Sequence, residues 1–174
     1  MEYMFETEHL KIRKFEIEDA QCLYENHLEE EVKKWIPNES YADIEETQGA
    51  INFYVDCVNN RHLPYVLAVE LKETGELIGD TGVNEVEGKA GEVEIGYGIC
   101  KKYSGKGYAT EATKAMMKFA NEQFGVVKFS SSHAEPNKAS GRVMEKCGLH
   151  FTGYGQFQKL DGTGKMRSME YEME

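Results

Sequence analysis

Apolar residues recur along the chain with two periods, and the periods mark out strands and helices. "HLKIRKF" (residues 9–15) alternates Leu10 and Ile12, with Phe15 less cleanly in step, and predicts a first strand. Asp19 is placed to cap a following helix, whose apolar positions Ala20, Leu23, Tyr24, Leu28 and Val32 form a helical stripe ended by Pro37. Ile44, Thr47, Ile51, Tyr54, Val55 and Val58 mark a second helix. "YVLAVEL" and "LIGDTGVNEV" are strands joined by the turn "KETGE", and "GKAG" (88–91) makes the next turn. "EVEIGYGIC" (92–100) alternates strictly, with Glu92, Glu94, Gly96 and Gly98 on one face and Val93, Ile95, Tyr97 and Ile99 on the other.

The second half reads the same way. A long helix from near Tyr108 carries Ala109, Ala112, Met116, Phe119, Ala120 and Gln123 or Phe124 on one side. "VVKFSSSHA" is a strand. "EPNKASGRVMEKCG" is a helix with Pro136 and Asn137 at its start, Ala139, Val143 and Cys147 on one face, and Gly148 as its stop. "LHFTGYGQF" and "RSMEYEM" close the chain around the turn "KLDGTGK", with hairpin chemistry at Gly162–Gly164. The order β-α-α-β-β-β-α-β-α-β-β, without repeat or linker, predicts one mixed α/β (α+β) domain over residues 1–174, largely antiparallel in its first half.

Composition narrows the function classes. A chain of 174 residues suits one domain with a real core. No stretch approaches the ~20 apolar residues of a membrane span, and "MEYMFETEHLKIRKF" lacks a signal pattern. We therefore expect a cytoplasmic protein with no membrane partner. The formal net charge of −11 argues against nucleic acid and suits either cationic substrates or simple solubility. Cys22, Cys57, Cys100 and Cys147 are too irregularly spaced for a disulfide framework or zinc site, and the histidines form no H-E-x-x-H pattern, so no metal is expected.

"KKYSGKGYATEA" (101–112) is the densest chemical signal. A P-loop would need glycine where Cys100 stands and Ser or Thr where Gly107 stands, and the G-x-G-x-x-G fingerprint fails from either glycine pair. What remains is a strand end, a glycine-rich turn and a helix start. The first-turn N–H groups there lack intrahelical partners and lie at the positive end of the helix dipole. Gly105 and Gly107 would let an anion approach the backbone, with Lys101, Lys102 or Lys106 adding charge. On these residues alone the stretch is either a pyrophosphate site or a tight turn that uses glycine for geometry.

Taken together and in order, "LKIRKF", "EVEIGYGIC", "SGKGYATEA" and "NKASGRVMEKCGLHFTG" resemble the GNAT superfamily of acetyl-CoA-dependent N-acetyltransferases, most closely its RimJ/RimL-like branch, over nearly the whole chain. The resemblance implies a mixed, mostly antiparallel central sheet flanked by helices, with two strands splayed at the acetyl-CoA site. It implies that "SGKGYA" is the Q/R-x-x-G-x-G/A loop, with Gly107 and Ala109 on the small positions and Ser104 replacing the usual Gln or Arg. Ser104, Gly105, Lys106, Gly107, Tyr108, Ala109 and Thr110 would then hold the pyrophosphate of coenzyme A. The pantetheine arm would pair with backbone at Ile99, Cys100 and Lys101, between the strands 92–100 and 127–134. Asn137 matches a pantetheine-bonding position and equally a helix N-cap. Arg142 or Lys146 would reach the 3′-phosphate or belong to a solvated face.

The same resemblance suggests roles in acetyl transfer. Glu94 matches the position of a general base, with a salt bridge or an exposed carboxylate as the alternative, and Glu92 ranks behind it. Ser140, in N-x-x-S, would hydrogen-bond the leaving thiolate. Transfer would be direct, with Cys100 not a nucleophile and the carbonyl polarised by a backbone N–H near Ile99 or Lys101. The acceptor would be a primary amine, either a protein N-terminal α-amine or a small amine. Deprotonation near pH 7 costs roughly 1–1.5 kcal/mol for an α-amine and roughly 4–5 kcal/mol for a lysine ε-amine. Trp35, Tyr41, Tyr97, His133 and Tyr154 are candidate acceptor lining. The alternative is an idle acyl-CoA-binding or regulatory module. The chain would be a monomer or a homodimer, with "RSMEYEM" as a possible edge strand.

Overall fold

The computed structural model describes residues 3–35, 40–159 and 163–173; the side chains of residues 3, 31 and 35 lie outside that description. The strands are β1 (Tyr3–Glu6), β2 (Leu10–Arg13), β3 (Tyr65–Leu71), β4 (Leu77–Glu85), β5 (Glu92–Ile99), β6 (Lys128–Ala134), β7 (His150–Gln158) and β8 (Lys165–Met173). They form one sheet in the order β1-β2-β3-β4-β5-β6-β8-β7. Neighbours are antiparallel except β5 and β6, which run parallel. The helices are α1 (Ala20–Leu28), α2 (Glu30–Trp35), α3 (Ile44–Asn59), α4 (Tyr108–Phe124) and α5 (Lys138–Lys146). The mixed, mostly antiparallel architecture is the one the pattern predicts.

The sheet has two differently covered faces, and the strand period assigns each residue to one. Leu67, Val69, Val83, Val93 and Ile95 pack with Ala112, Met116, Met117 and Ala120 of α4 in the larger core. On the other face Ala68 packs with Phe15, Ala20 and Leu23 near α1 and with Ile51 of α3. Each large apolar side chain removed from water contributes roughly 1.5–3 kcal/mol, so most of the stability lies on the α4 face.

Several elements depart from the sequence pattern. Strand β1 is additional and pairs with β2 at the sheet edge. The apolar stripe reading through Val32 is broken at Glu29 (φ −58°, ψ 132°), so α1 stops and the short α2 begins. The Glu29 carboxylate accepts the Lys101 N–H at 3.3 Å, a tie between distant segments that no local pattern encodes. Asp19 precedes α1 but makes no side-chain cap; its carboxylate is taken by Arg13 and by the Glu16 N–H. Strand β8 is not an edge, because it lies between β6 and β7. Helix α5 buries Gly141, Met144 and Cys147 while Ala139 is exposed. Gly141 lets α5 approach closely, since a β-carbon there would lie 2.8 Å from His133 Nε2 and 3.0 Å from the Tyr171 hydroxyl and would force those side chains to shift. Pro37 and Gly162 lie outside the described residues.

Candidate active site

Strands β5 and β6 pair only over Glu92–Glu94 and Lys128–Ser130, and beyond that they separate. The ladder fixes which backbone groups face the gap. The Cys100 N–H donates to the Ile78 carbonyl at 2.8 Å, and the Gly96 carbonyl accepts from the Thr81 hydroxyl at 3.1 Å. Even-numbered residues of β5 therefore turn toward β4. Odd-numbered residues turn toward the gap, where the Ile95 carbonyl accepts from Ser131 Oγ at 2.9 Å. Tyr97 and Ile99 are left presenting their N–H and C=O groups to the opening. Of the three backbone contributors expected from sequence, Ile99 is thus available, whereas Cys100 and Lys101 are committed. The Cys100 carbonyl accepts from the Tyr103 N–H, the Lys101 N–H goes to Glu29, and the Lys101 carbonyl accepts from Ser104.

The opening ends at the glycine loop. Gly105 (φ +75°) and Gly107 (φ +88°) adopt left-handed backbone that side chains disfavour, and a β-carbon at either would meet nothing within 4 Å. Gly107 is the N-cap of the 17-residue α4, and its carbonyl accepts from the Glu111 N–H. The N–H groups of Tyr108, Ala109 and Thr110 therefore have no partner inside the helix. The Ser104 hydroxyl turns back onto the Lys101 carbonyl at 2.8 Å and stabilises the turn instead of reaching outward. Lys102 is held by Glu76 at 3.3 Å, while Lys101 and Lys106 are exposed beside the loop. Glu111 anchors the helix start by accepting from the Thr7 hydroxyl and from the His9 N–H at 2.9 Å.

Helix α5 forms the far wall. Asn137 caps it, its Oδ1 accepting from the Ser140 N–H at 3.4 Å, which leaves the amide nitrogen for a ligand. Ser140 is half-buried, and the Tyr97 hydroxyl lies 2.9 Å from its carbonyl and 3.1 Å from its Oγ. Tyr97 thus spans the opening from β5 to α5. Burial, the largest influence, drives its phenol pKa upward, so it stays a neutral donor. Arg142 and Lys146 are exposed on the outer side of α5.

The opposite face of β5 carries the carboxylates. Glu92 is buried and paired with Lys89 at 3.0 Å and Lys128 at 3.3 Å; the Lys89 hydrogen bond leads in holding its carboxyl below the usual range, which makes it a structural anion. Glu94 is half-buried and makes no hydrogen bond or ion pair among the described residues. Burial first, then the charge of Glu170, pushes its carboxyl upward. It lines a cleft of about 280 Å³ with Glu85, Glu87, Glu170 and Glu172, and with Lys89, which is paired with Glu92 and Glu172. Asp80, opposite Gly98 in the β4–β5 ladder, also has no such partner. It keeps some solvent contact, yet protein surrounds it closely enough that burial lifts its carboxyl to about 7. The thiols of Cys100 and Cys147 rise to about 12 and about 11, chiefly through burial, so neither forms a thiolate near neutral pH. Among the described residues no cluster could hold a metal ion, and no helix is long and apolar enough to cross a membrane.

A GNAT acetyltransferase domain matches residues 9–150. The chain belongs to the GNAT acetyltransferase family. It is 26% identical over 147 residues to the uncharacterized N-acetyltransferase p20 of Bacillus licheniformis, covering 84% of this chain and 82% of that one. A GNAT-family acetyltransferase from Bacillus anthracis superposes with a TM-score of 0.83 at 27% identity, over 97% of this chain and 96% of that one. A RimL ribosomal L7/L12 alpha-N-protein acetyltransferase, solved with coenzyme A, shares the fold: TM-score 0.81, 18% identity, 98% and 97% covered.

Within this GNAT fold the sequence-derived residues fall into two groups. Ile99, Ser104–Thr110, Asn137 and Ser140 surround one opening. Glu94 lies on the opposite face of the same strand, beside the acidic cleft. The candidate lining is dispersed. His133 is buried, 3.4 Å from the Tyr171 hydroxyl beneath α5. Tyr41 packs on His27, Tyr154 is exposed beneath Arg167, and the Trp35 side chain lies outside the described residues. Tyr97 cannot share a lining with Glu94, because odd and even positions of a strand point to opposite faces. Asp80 was missed: a single acid inside "LIGDTGV" carries no sign of its register against Gly98.

Proposed function

We propose that this GNAT protein moves an acetyl group from acetyl-CoA directly to a primary amine, either a protein N-terminal α-amine or a small amine. The observation that carries the reading is the β5–β6 opening, which leads from unpaired backbone groups at Tyr97 and Ile99 to the free N–H groups at the start of α4. A chain of amides ending in a pyrophosphate complements that arrangement. Gly105, Lys106, Gly107, Tyr108, Ala109 and Thr110 would cradle the pyrophosphate, the Asn137 amide would bond the pantetheine, and Arg142 would meet the 3′-phosphate. Ser140, steadied by Tyr97, would donate a hydrogen bond to the departing thiolate. The neutral thiols at Cys100 and Cys147 suit direct attack by the amine. The acidic cleft beside Glu94 suits a cationic acceptor, and the coenzyme-bound RimL relative acts on a protein α-amine.

Calorimetric titration with acetyl-CoA, followed by thiol release across a panel of peptides and polyamines, tests this reading. Gly107→Glu places bulk and negative charge in the cradle on left-handed backbone and is expected to weaken acetyl-CoA binding more than 100-fold while the chain stays folded by circular dichroism. Unchanged affinity in that variant would refute the cradle.

A further inference from the structure

The α1/α3 face of the sheet holds a feature that the expected base alone does not explain. Asp80 and Glu94 stand at the two ends of a strip where Gly96 and Gly98 leave side-chain space over β5, while the space at Gly82 is taken up by Val66 and the Tyr65 carbonyl. A β-carbon at Gly96 would meet nothing nearer than Asn84 Nδ2 at 4.0 Å, and one at Gly98 would sit 3.6 Å from Asp80 Oδ2 and 3.9 Å from Oδ1. The Asp80 carboxylate therefore leans over Gly98, immediately before Ile99 and its open backbone groups. Glu94 lies four residues away, roughly 13 Å at ~3.3 Å per residue. It shares its end of the strip with Glu170, whose charge favours holding a cation there.

We propose that Asp80 is the group that takes the proton from the acceptor ammonium, over the glycine strip, while Glu94 attracts the cation at the other end. This rests on the acetyl-transfer reading above. The N–H bond of the ammonium breaks, its electron pair stays on nitrogen, and the proton forms an O–H bond on Asp80. The neutral nitrogen attacks the thioester carbon. Collapse of the adduct expels the thiolate, which takes one of the two protons left on nitrogen to give the free thiol, and the other stays as the N–H of the amide. Asp80 then returns its proton to water, so one proton is released per turnover.

Among the described residues, the surroundings of Asp80 contain no cation that would keep it permanently ionised. Strand β3 sets Ala68 beside it, and Glu70 on the same strand is occupied by Arg13. Helix α1 contributes Cys22, whose thiol is bonded to the Leu77 carbonyl, and ends at Glu29, bonded to Lys101. Cys100 on the neighbouring segment is a neutral thiol. Asp80 itself, with its carboxyl near 7, is half-ionised at neutral pH and can both accept and release a proton.

The test compares Asp80→Asn, Glu94→Gln and the wild type across pH 5–9, with spermidine and a short peptide bearing a free α-amine as probes. For Asp80→Asn we expect kcat/KM at pH 7 to fall about 100-fold, the acid limb near pH 7 to vanish, and acetyl-CoA affinity to stay within threefold. Glu94→Gln should raise KM for the acceptor and keep the limb. As a readout independent of turnover, Asp80→Asn should melt higher than the wild type at pH 8 and equally at pH 4. An Asp80→Asn enzyme with kcat/KM within fivefold and its limb intact overturns the assignment. Wild-type protein that binds acetyl-CoA but turns over neither these probes nor the wider panel overturns the acetyl-transfer reading and this proposal with it.

Discussion

Two sets of carboxylates on one face of the sheet are treated in opposite ways. Near α1, Asp19 and Glu70 share the guanidinium of Arg13: Nη1 reaches Asp19 at 2.7 Å and Nε reaches Glu70 at 2.8 Å, with all three side chains at most 10% exposed. Across the sheet, Asp80 and Glu94 are also withdrawn from water but have no such partner among the described residues. Desolvating a carboxylate is costly unless it is paired. The first set meets that cost with charge and pins the loop before α1 to the sheet. The second leaves it unmet, which a fold tolerates where a ligand completes the environment.

The largest expected effect comes from breaking the paired set. Arg13→Met leaves two buried carboxylates uncompensated and should lower the unfolding free energy by about 3–5 kcal/mol, measured by denaturant titration. A loss under about 1 kcal/mol would mean that the triad is no more structural than a surface pair.

Removing charge from the unpaired set should act in the other direction. Burial raises the Asp80 carboxyl from 3.8 to about 7, so the folded state holds the proton more tightly than the unfolded state. The wild type then loses stability as pH climbs from about 4 to about 7. At ~1.4 kcal/mol per unit the ceiling on the gain for Asp80→Asn at pH 8 is roughly 4 kcal/mol, shrinking to nothing near pH 4. Thermal melts at the two pH values read this directly.

The smallest effect concerns a neutral pair on the other face. Tyr97→Phe frees Ser140 from its partner and should reduce kcat about three- to tenfold, roughly 1 kcal/mol, with acetyl-CoA affinity within twofold. A double-mutant cycle with Ser140→Ala shows whether the two hydroxyls act together; additive losses would separate them.

The difference between the two carboxylate sets was not legible in the sequence, whereas the frame around it was. Strict alternation in "EVEIGYGIC" placed Glu94 opposite Tyr97, and the glycine loop and the α5 segment marked both walls of the opening. Pairing depends on register between strands, which local pattern does not record. Asp80 acquires its meaning from Gly98, and Asp19 is diverted from capping α1 by Arg13. The break at Glu29 escaped for the same reason, since its carboxylate answers to Lys101, far along the chain. Strand β1 escaped because its apolar residues Tyr3, Met4 and Phe5 are consecutive and show no alternation.

The parting of β5 from β6 has a thermodynamic side. On the proposed reading the coenzyme fills a gap that the polypeptide leaves in its own sheet, so the folded state is a mass-action product of chain and metabolite. At a free coenzyme concentration of 100 times Kd, this coupling adds about 2.7 kcal/mol to the unfolding free energy. The lifetime of each molecule against unfolding and proteolysis would then follow the supply of acetyl-CoA, so that the amount of enzyme present carries a memory of the acetyl groups recently on hand.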